Sequence, residues 1–177
     1  TTIWYWMFDN YHGLFNGLLH LVHLQPIDWL GDPRWTLASI IFYTTWKSLG
    51  FSTVIFMAGL SNISPSLAEA ARVDGASPWQ VFRYVTWPLL LPITLVVLLL
   101  STIDAFKMFQ PVFLFVGPGG GPLNSARTLG LYLFSVAFSN NPHDGLGAAI
   151  SVIIFLLVFT ISIMQRGLTR RNADTAY

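Results

Sequence analysis

Leu146-Gly147-Ala148-Ala149-Ile150-Ser151-Val152-Ile153-Ile154-Phe155-Leu156-Leu157-Val158-Phe159-Thr160-Ile161-Ser162-Ile163-Met164 is nineteen residues without a charged side chain. A bilayer core about 30 Å thick takes about 20 mostly apolar helical residues, so this stretch reads as a transmembrane helix. Two further stretches pass the same test. One is 36–60, interrupted by Lys47; the other is 89–109, with Asp104 and Lys107 near its far end. Composition agrees, because the 177 residues are 54% hydrophobic and only 10% charged, against about 25% charged in a soluble domain. Mean hydropathy is +0.59. So few charges cannot cover a water-facing surface, and the fold class read here is all-α with polytopic transmembrane helices.

The same composition excludes other classes. Net charge is +1 and the Lys and Arg residues are scattered, so no basic groove for nucleic acid is expected. There is no cysteine, hence no disulfide and no thiolate metal site. The start, Thr1-Thr2-Ile3-Trp4-Tyr5-Trp6, lacks the basic region of a signal peptide. Ile3–Phe8 is too short to span and reads as the last turns of a helix at the aromatic-rich interface. The chain is therefore expected to be a piece of a longer protein.

Lys and Arg near span ends favour the cytoplasm. The 61–88 loop carries Arg72 and Arg83, and the C-terminal tail carries Arg166, Arg170 and Arg171; the opposite side has Arg34, Lys107 and Arg127. This bias assigns 61–88 and the C-terminus to the cytoplasm, and 9–35 and 110–145 to the outside.

The 61–88 loop is built from helix start and stop signals. Ser64 stands where an N-cap belongs, with Pro65 at the first helical position, where its missing N–H costs nothing. An Ala- and Leu-rich segment follows to Asp74, and Gly75 sits where a left-handed residue ends a helix. Ser77, Pro78 and Gln80 spell a second start with a capping box, and Pro88 is expected to interrupt that helix before the next span. Two short helices joined by a Gly-hinged turn, with a small-residue patch on the first, read as a docking element. Asp74 is either an interfacial contact or a local Asx cap.

The run Glu69-Ala70-Ala71, three residues, Gly75, nine residues, Val85-Thr86-Trp87-Pro88 resembles the EAA signature of permease subunits of binding-protein-dependent ABC importers. The fuller stretch to Pro92 is most similar to their carbohydrate-uptake branch. Trp29-Leu30-Gly31-Asp32-Pro33, Trp46-Lys47, Ala58-Gly59-Leu60, Asp104-Ala105-Phe106, the 117–122 loop and Leu131-Tyr132 extend the resemblance over nearly the whole chain. Val85 and Trp87 depart from the usual Ile and Leu.

The resemblance implies the C-terminal part of a permease of about six spans, multi-pass in a bacterial cell membrane. Glu69, Ala70, Ala71, Asp74 and Gly75 would then couple to a separate ATP-binding cassette subunit, which would bind ATP and Mg. The other implied partners are a second permease subunit and an extracytoplasmic solute-binding protein. No cofactor and no catalytic residue are expected in this chain.

Candidates for the translocation path are Trp46, Lys47, Asp104 and Phe106. An ionisable residue inside a span is a functional candidate by default; Lys47 either faces a polar path, snorkels, or pairs with Asp104. Asp104 and Lys107, three apart on one helix face, are expected to pair with each other near the outer surface. Trp46, Phe106 and Phe109 have rings that suit the C–H faces of a sugar, and lipid or core packing is the competing role. Gly117–Pro122 lacks the Gly-Lys-Ser/Thr ending of a phosphate loop and reads as a flexible external turn. His12, His20, His23 and His143 are read as interfacial residues on the outer side, His20 and His23 having the three-residue spacing that one helix face would allow, and no metal site is expected. A secondary transporter or channel is the rival reading, with only Lys47 in its favour.

Overall fold

The computed structural model describes residues 1–138 and 143–174, with side chains as far as Gly167. The side chains of Arg170 and Arg171 lie outside the described residues. Among the described residues every regular element is helical: α1 (Thr2–Met7), α2 (Leu14–Leu21), α3 (Pro33–Ser61), α4 (Pro65–Val73), α5 (Pro78–Val81), a π turn (Phe82–Thr86), α6 (Trp87–Phe106), α7 (Gln110–Val116), a 3-10 turn (Pro122–Asn124), α8 (Leu129–Ala137) and α9 (Asp144–Asp174). Three helical stretches are long and apolar enough to cross a membrane, namely Pro33–Ser61, Pro78–Phe106 and Asp144–Gly167.

The second stretch differs at both ends from the sequence reading. Pro88 does not interrupt it: the chain is helical from Pro78 through the π turn into α6. A proline ring clashes with the carbonyl four residues back, and for Pro88 that carbonyl belongs to Tyr84, inside the wider π turn. At the far end the helix stops at Phe106, not Phe109. There the Thr128 hydroxyl, at the N-cap of α8, donates to the Met108 carbonyl. It also accepts the Leu131 N–H at 3.2 Å.

The chain divides into two compact units. The first comprises Thr1–Lys47 and Asp104–Leu156. Its core is aromatic: Trp4, Phe8, Ile40, Tyr43, Val112, Phe115, Ala126 and Leu131 are buried together. The loop before α3 is tied down by polar side chains. The Asn16 amide donates to the carbonyls of Asn10 (3.1 Å) and Ile27 (2.9 Å), and its oxygen accepts the Ile27 N–H and the Trp29 indole N–H, each at 3.0 Å. Ser39 and Thr36, both buried, donate to the carbonyls of Trp29 (3.0 Å) and Leu30 (3.2 Å). These bonds explain why Trp29-Leu30-Gly31-Asp32-Pro33 leads straight into α3, with Pro33 first and the Asp32 carboxylate accepting the Arg34 N–H at 2.9 Å.

The glycine-rich 117–122 segment is not a free turn. The Ala126 N–H donates to the Gly120 carbonyl at 2.9 Å, and Ala126 is buried in the core. Nor do His20 and His23 share a helix face. His23 lies beyond α2 at φ 58, in the left-handed position that ends the helix, with the Leu24 N–H reaching back to the Leu19 carbonyl at 2.9 Å.

The second unit comprises Ser48–Ile103 and the chain from Leu157 onward. Gly59 on α3 is buried, and a Cβ there would run into Ile93 of α6, with Leu90 at 3.3 Å. The small residue lets the two helices approach closely, the usual device where no hydrophobic effect drives membrane helices together. The Gln165 amide donates to the Thr102 hydroxyl at 2.8 Å, a polar link between α9 and α6.

Candidate docking loop and path residues

The segment between α3 and α6 forms a compact two-helix unit. Pro65 opens α4, and Gly75 closes it at φ +85. The Gly75 N–H donates to Arg72 and the Ala76 N–H to Ala71, both at 3.0 Å, which satisfies carbonyls that a helix end leaves bare. Nothing lies within 4 Å of where a Gly75 Cβ would stand, so the backbone angle alone demands glycine. The capping box forms as read: the Ser77 N–H donates to Gln80 Oε1 at 2.7 Å and the Gln80 N–H to Ser77 Oγ at 3.4 Å. Val81 is buried and anchors α5.

Two side chains behave differently from their expected cap roles. Ser64 makes no cap to the backbone; its hydroxyl pairs with Ser66 Oγ at 2.7 Å. Asp74 is exposed and makes no side-chain hydrogen bond among the described residues, so the Asx cap is absent. Asp74 and Glu69 both stand exposed, as does Ala70, while Ala71 is half-buried. Ala71, Asp74, Gly75, Gln80, Tyr84 and Val85 line a hollow of about 280 Å³ between the two short helices. Tyr84, 74% exposed, rises from the π turn on its rim. Sequence reading gave it no part, because its placement depends on a π turn that no local motif announced.

Among the described residues no ion pair or ring contact joins the path candidates Trp46, Lys47, Asp104 and Phe106 to one another. Trp46 packs against Trp4, ring centroids 5.0 Å apart, yet remains 56% exposed. Lys47 is exposed near the middle of α3. Among the described residues the close acid–base contacts are Arg34–Asp32 at 2.7 Å and His12–Asp9 at 3.8 Å, the second an ion pair only when His12 is protonated. Lys47 therefore does not pair with Asp104, and Asp104 does not pair with Lys107. The second absence follows from α6 ending at Phe106, which takes Lys107 off the helical face that the spacing assumed. Phe106 is half-buried, and Phe109 stacks on Phe134 at 4.2 Å in the first unit's packing. No cluster of three or more His, Asp or Glu residues occurs among the described residues.

Residues 2–174 match the profile of the binding-protein-dependent transport system inner membrane component. The chain belongs to that family. With three apolar helices of spanning length, it is a multi-pass membrane protein. The trehalose/maltose transport system permease protein MalF of Thermococcus litoralis is 37% identical over 171 residues, 96% of this chain and 57% of that protein. The lactose transport system permease protein LacF of Rhizobium radiobacter is 38% identical over 141 residues, 80% of this chain and 47% of that protein. In fold, the chain resembles a bacterial ABC transporter involved in the import of the acidic polysaccharide alginate, with a TM-score of 0.82 and 23% identity over 96% of this chain and 59% of that one. This family member thus spans about half to three-fifths of the length of these proteins.

Proposed function

We propose that this chain is part of the permease subunit of an ATP-driven importer that carries a carbohydrate across the cell membrane. The observation that carries the reading is the α4–Gly75–α5 unit. It is a capped, glycine-turned pair of short helices between two spans, with Glu69, Ala70 and Asp74 exposed for a partner. Relatives named for trehalose, maltose and lactose transport support a sugar as the cargo.

In this reading α4 and α5 lie in the cytoplasm and dock a separate ATPase subunit, which holds ATP and Mg. Glu69 and Asp74 present charge to it, and Ala70 and Ala71 allow close approach. The permease performs no covalent chemistry. It couples by making different contacts in two conformations, each favoured by a different state of the ATPase. A second permease completes the path, and a solute-binding protein delivers the sugar from outside. Trp46 and Lys47, both exposed on α3, are the proposed path residues on that helix.

The test is uptake by the full-length subunit, reconstituted with its neighbouring ATPase, second permease and binding protein in proteoliposomes. ATP-dependent accumulation of labelled maltose, trehalose or lactose is expected. Accumulation that needs no ATP and follows an ion gradient would replace this reading with a secondary transporter.

A further inference from the structure

The first compact unit contains an open cleft of about 460 Å³ that the docking reading does not use. That size falls among small-molecule pockets, about 300–1,000 Å³. Its lining residues include Tyr5, Tyr11, Asp9 and Asp28. Backbone bonds hold both acids in place through one oxygen. Asp9 Oδ1 accepts the N–H groups of Tyr11 (3.0 Å) and His12 (2.7 Å), and Asp28 Oδ1 accepts that of Gly31 (2.7 Å). The second oxygen of each makes no hydrogen bond among the described residues. Asn10 lines the same cleft with a buried side-chain carbonyl that has no partner.

The electrostatics are one-sided. Among the described residues no cation lies within 4.0 Å of Asp28, the nearest basic group to Asp9 is His12 at 3.8 Å, and Arg34 is engaged by Asp32. The two backbone N–H donors hold the Asp9 carboxyl below the usual carboxylate range, so it stays charged. Unspent carboxylate oxygens accept sugar hydroxyls in charge-assisted bonds, and the Tyr5 ring offers an apolar face to the C–H side of a pyranose. The Asp28 carboxylate, with no cation within 4.0 Å among the described residues, also repels an anionic ligand.

We propose that this cleft receives an uncharged saccharide on the membrane face opposite the docking loop and selects against uronates and other anionic sugars. It rests on the importer reading for its setting: one span, α3, separates Asp28 from that loop, which assigns the two to opposite faces.

The chain lacks cysteine and Tyr11 is 89% exposed, so Tyr11→Cys in a cysteine-free full-length subunit sets one thiol on the cleft. The assembled transporter is labelled in proteoliposomes with a membrane-impermeant maleimide, alone and with maltose, trehalose, lactose or sodium galacturonate. At least one neutral sugar is expected to halve the labelling rate or slow it further, and galacturonate to leave it unchanged. Asp28→Asn, which keeps the oxygen that accepts the Gly31 N–H, is expected to let galacturonate protect. Equal rates with every sugar, equal protection by galacturonate while Asp28 is intact, or a thiol that never labels would each overturn the proposal. Uptake measured alongside separates the two ideas. ATP-driven uptake without protection sinks the cleft alone, and protection without ATP-driven uptake sinks the importer reading alone.

Discussion

Gly75 offers the sharpest energetic test of the docking unit. Its φ is +85 and an added Cβ would meet nothing within 4 Å, so substitution costs conformational energy and no packing. An L-residue forced into the left-handed region pays about 1–2 kcal/mol. If only the native turn docks, that energy appears as weakened ATPase binding. At 1.4 kcal/mol per tenfold, Gly75→Ala should raise Kd about 5- to 30-fold. Asn visits this region more readily than other side chains, so Gly75→Asn should fall between Gly and Ala, and the β-branched Gly75→Val should be worst. The assay titrates the purified ATPase onto the full-length permease in nanodiscs. Membrane insertion and helix content should stay at wild-type levels, because the turn lies outside the spans. Ala binding as tightly as Gly, or Val no weaker than Asn, would refute the claim that this turn must be left-handed to dock.

Gly59→Leu should destabilise the second unit by about 1–3 kcal/mol through overpacking against Ile93 and Leu90, read as a lower midpoint in thermal unfolding of the purified subunit. Gly59→Ala should lose much less, because the Ile93 methyl end can turn away. Ser77→Ala removes one half of a formed capping box and should cost about 0.5–2 kcal/mol, measured as faster proteolysis in the 61–88 segment; Ser77→Asp should restore protection. Lys47→Met should lower sugar uptake while leaving ATPase docking intact; unchanged uptake would return Lys47 to a packing or snorkelling role. A lysine at mid-span carries an insertion cost of about 2.5–3.5 kcal/mol, so Met should also insert more readily.

What could be read in advance followed from local rules. A charge-free run such as 146–164 needs only length and composition to be recognised, and α9 covers it. Gly75, Ser77 and Gln80 announce their roles because a left-handed turn and a capping box are satisfied within a few residues of chain. The failures share a different cause. The stop of α6 at Phe106 is accompanied by Thr128, twenty residues on in sequence, taking the Met108 carbonyl. The Asp104–Lys107 pair was then lost because it presumed a helix that had already ended. Pro88 reads as a breaker by propensity, yet a π turn over Phe82–Thr86 carries the helix past it. The aromatic core around Trp4, Tyr43 and Phe115 joins segments far apart in the chain, and no spacing rule reaches that distance.

The proposed role of the 61–88 loop is to couple this permease to an ATPase. Its most direct test is affinity purification of the full-length subunit from membranes in mild detergent, wild type against Glu69→Lys, with mass spectrometry of the co-purified proteins. Wild type should bring a nucleotide-binding ATPase and a second permease, and Glu69→Lys should keep the permease and lose the ATPase. Recovery of the ATPase at wild-type levels with Glu69→Lys, or no ATPase with wild type, would contradict the account.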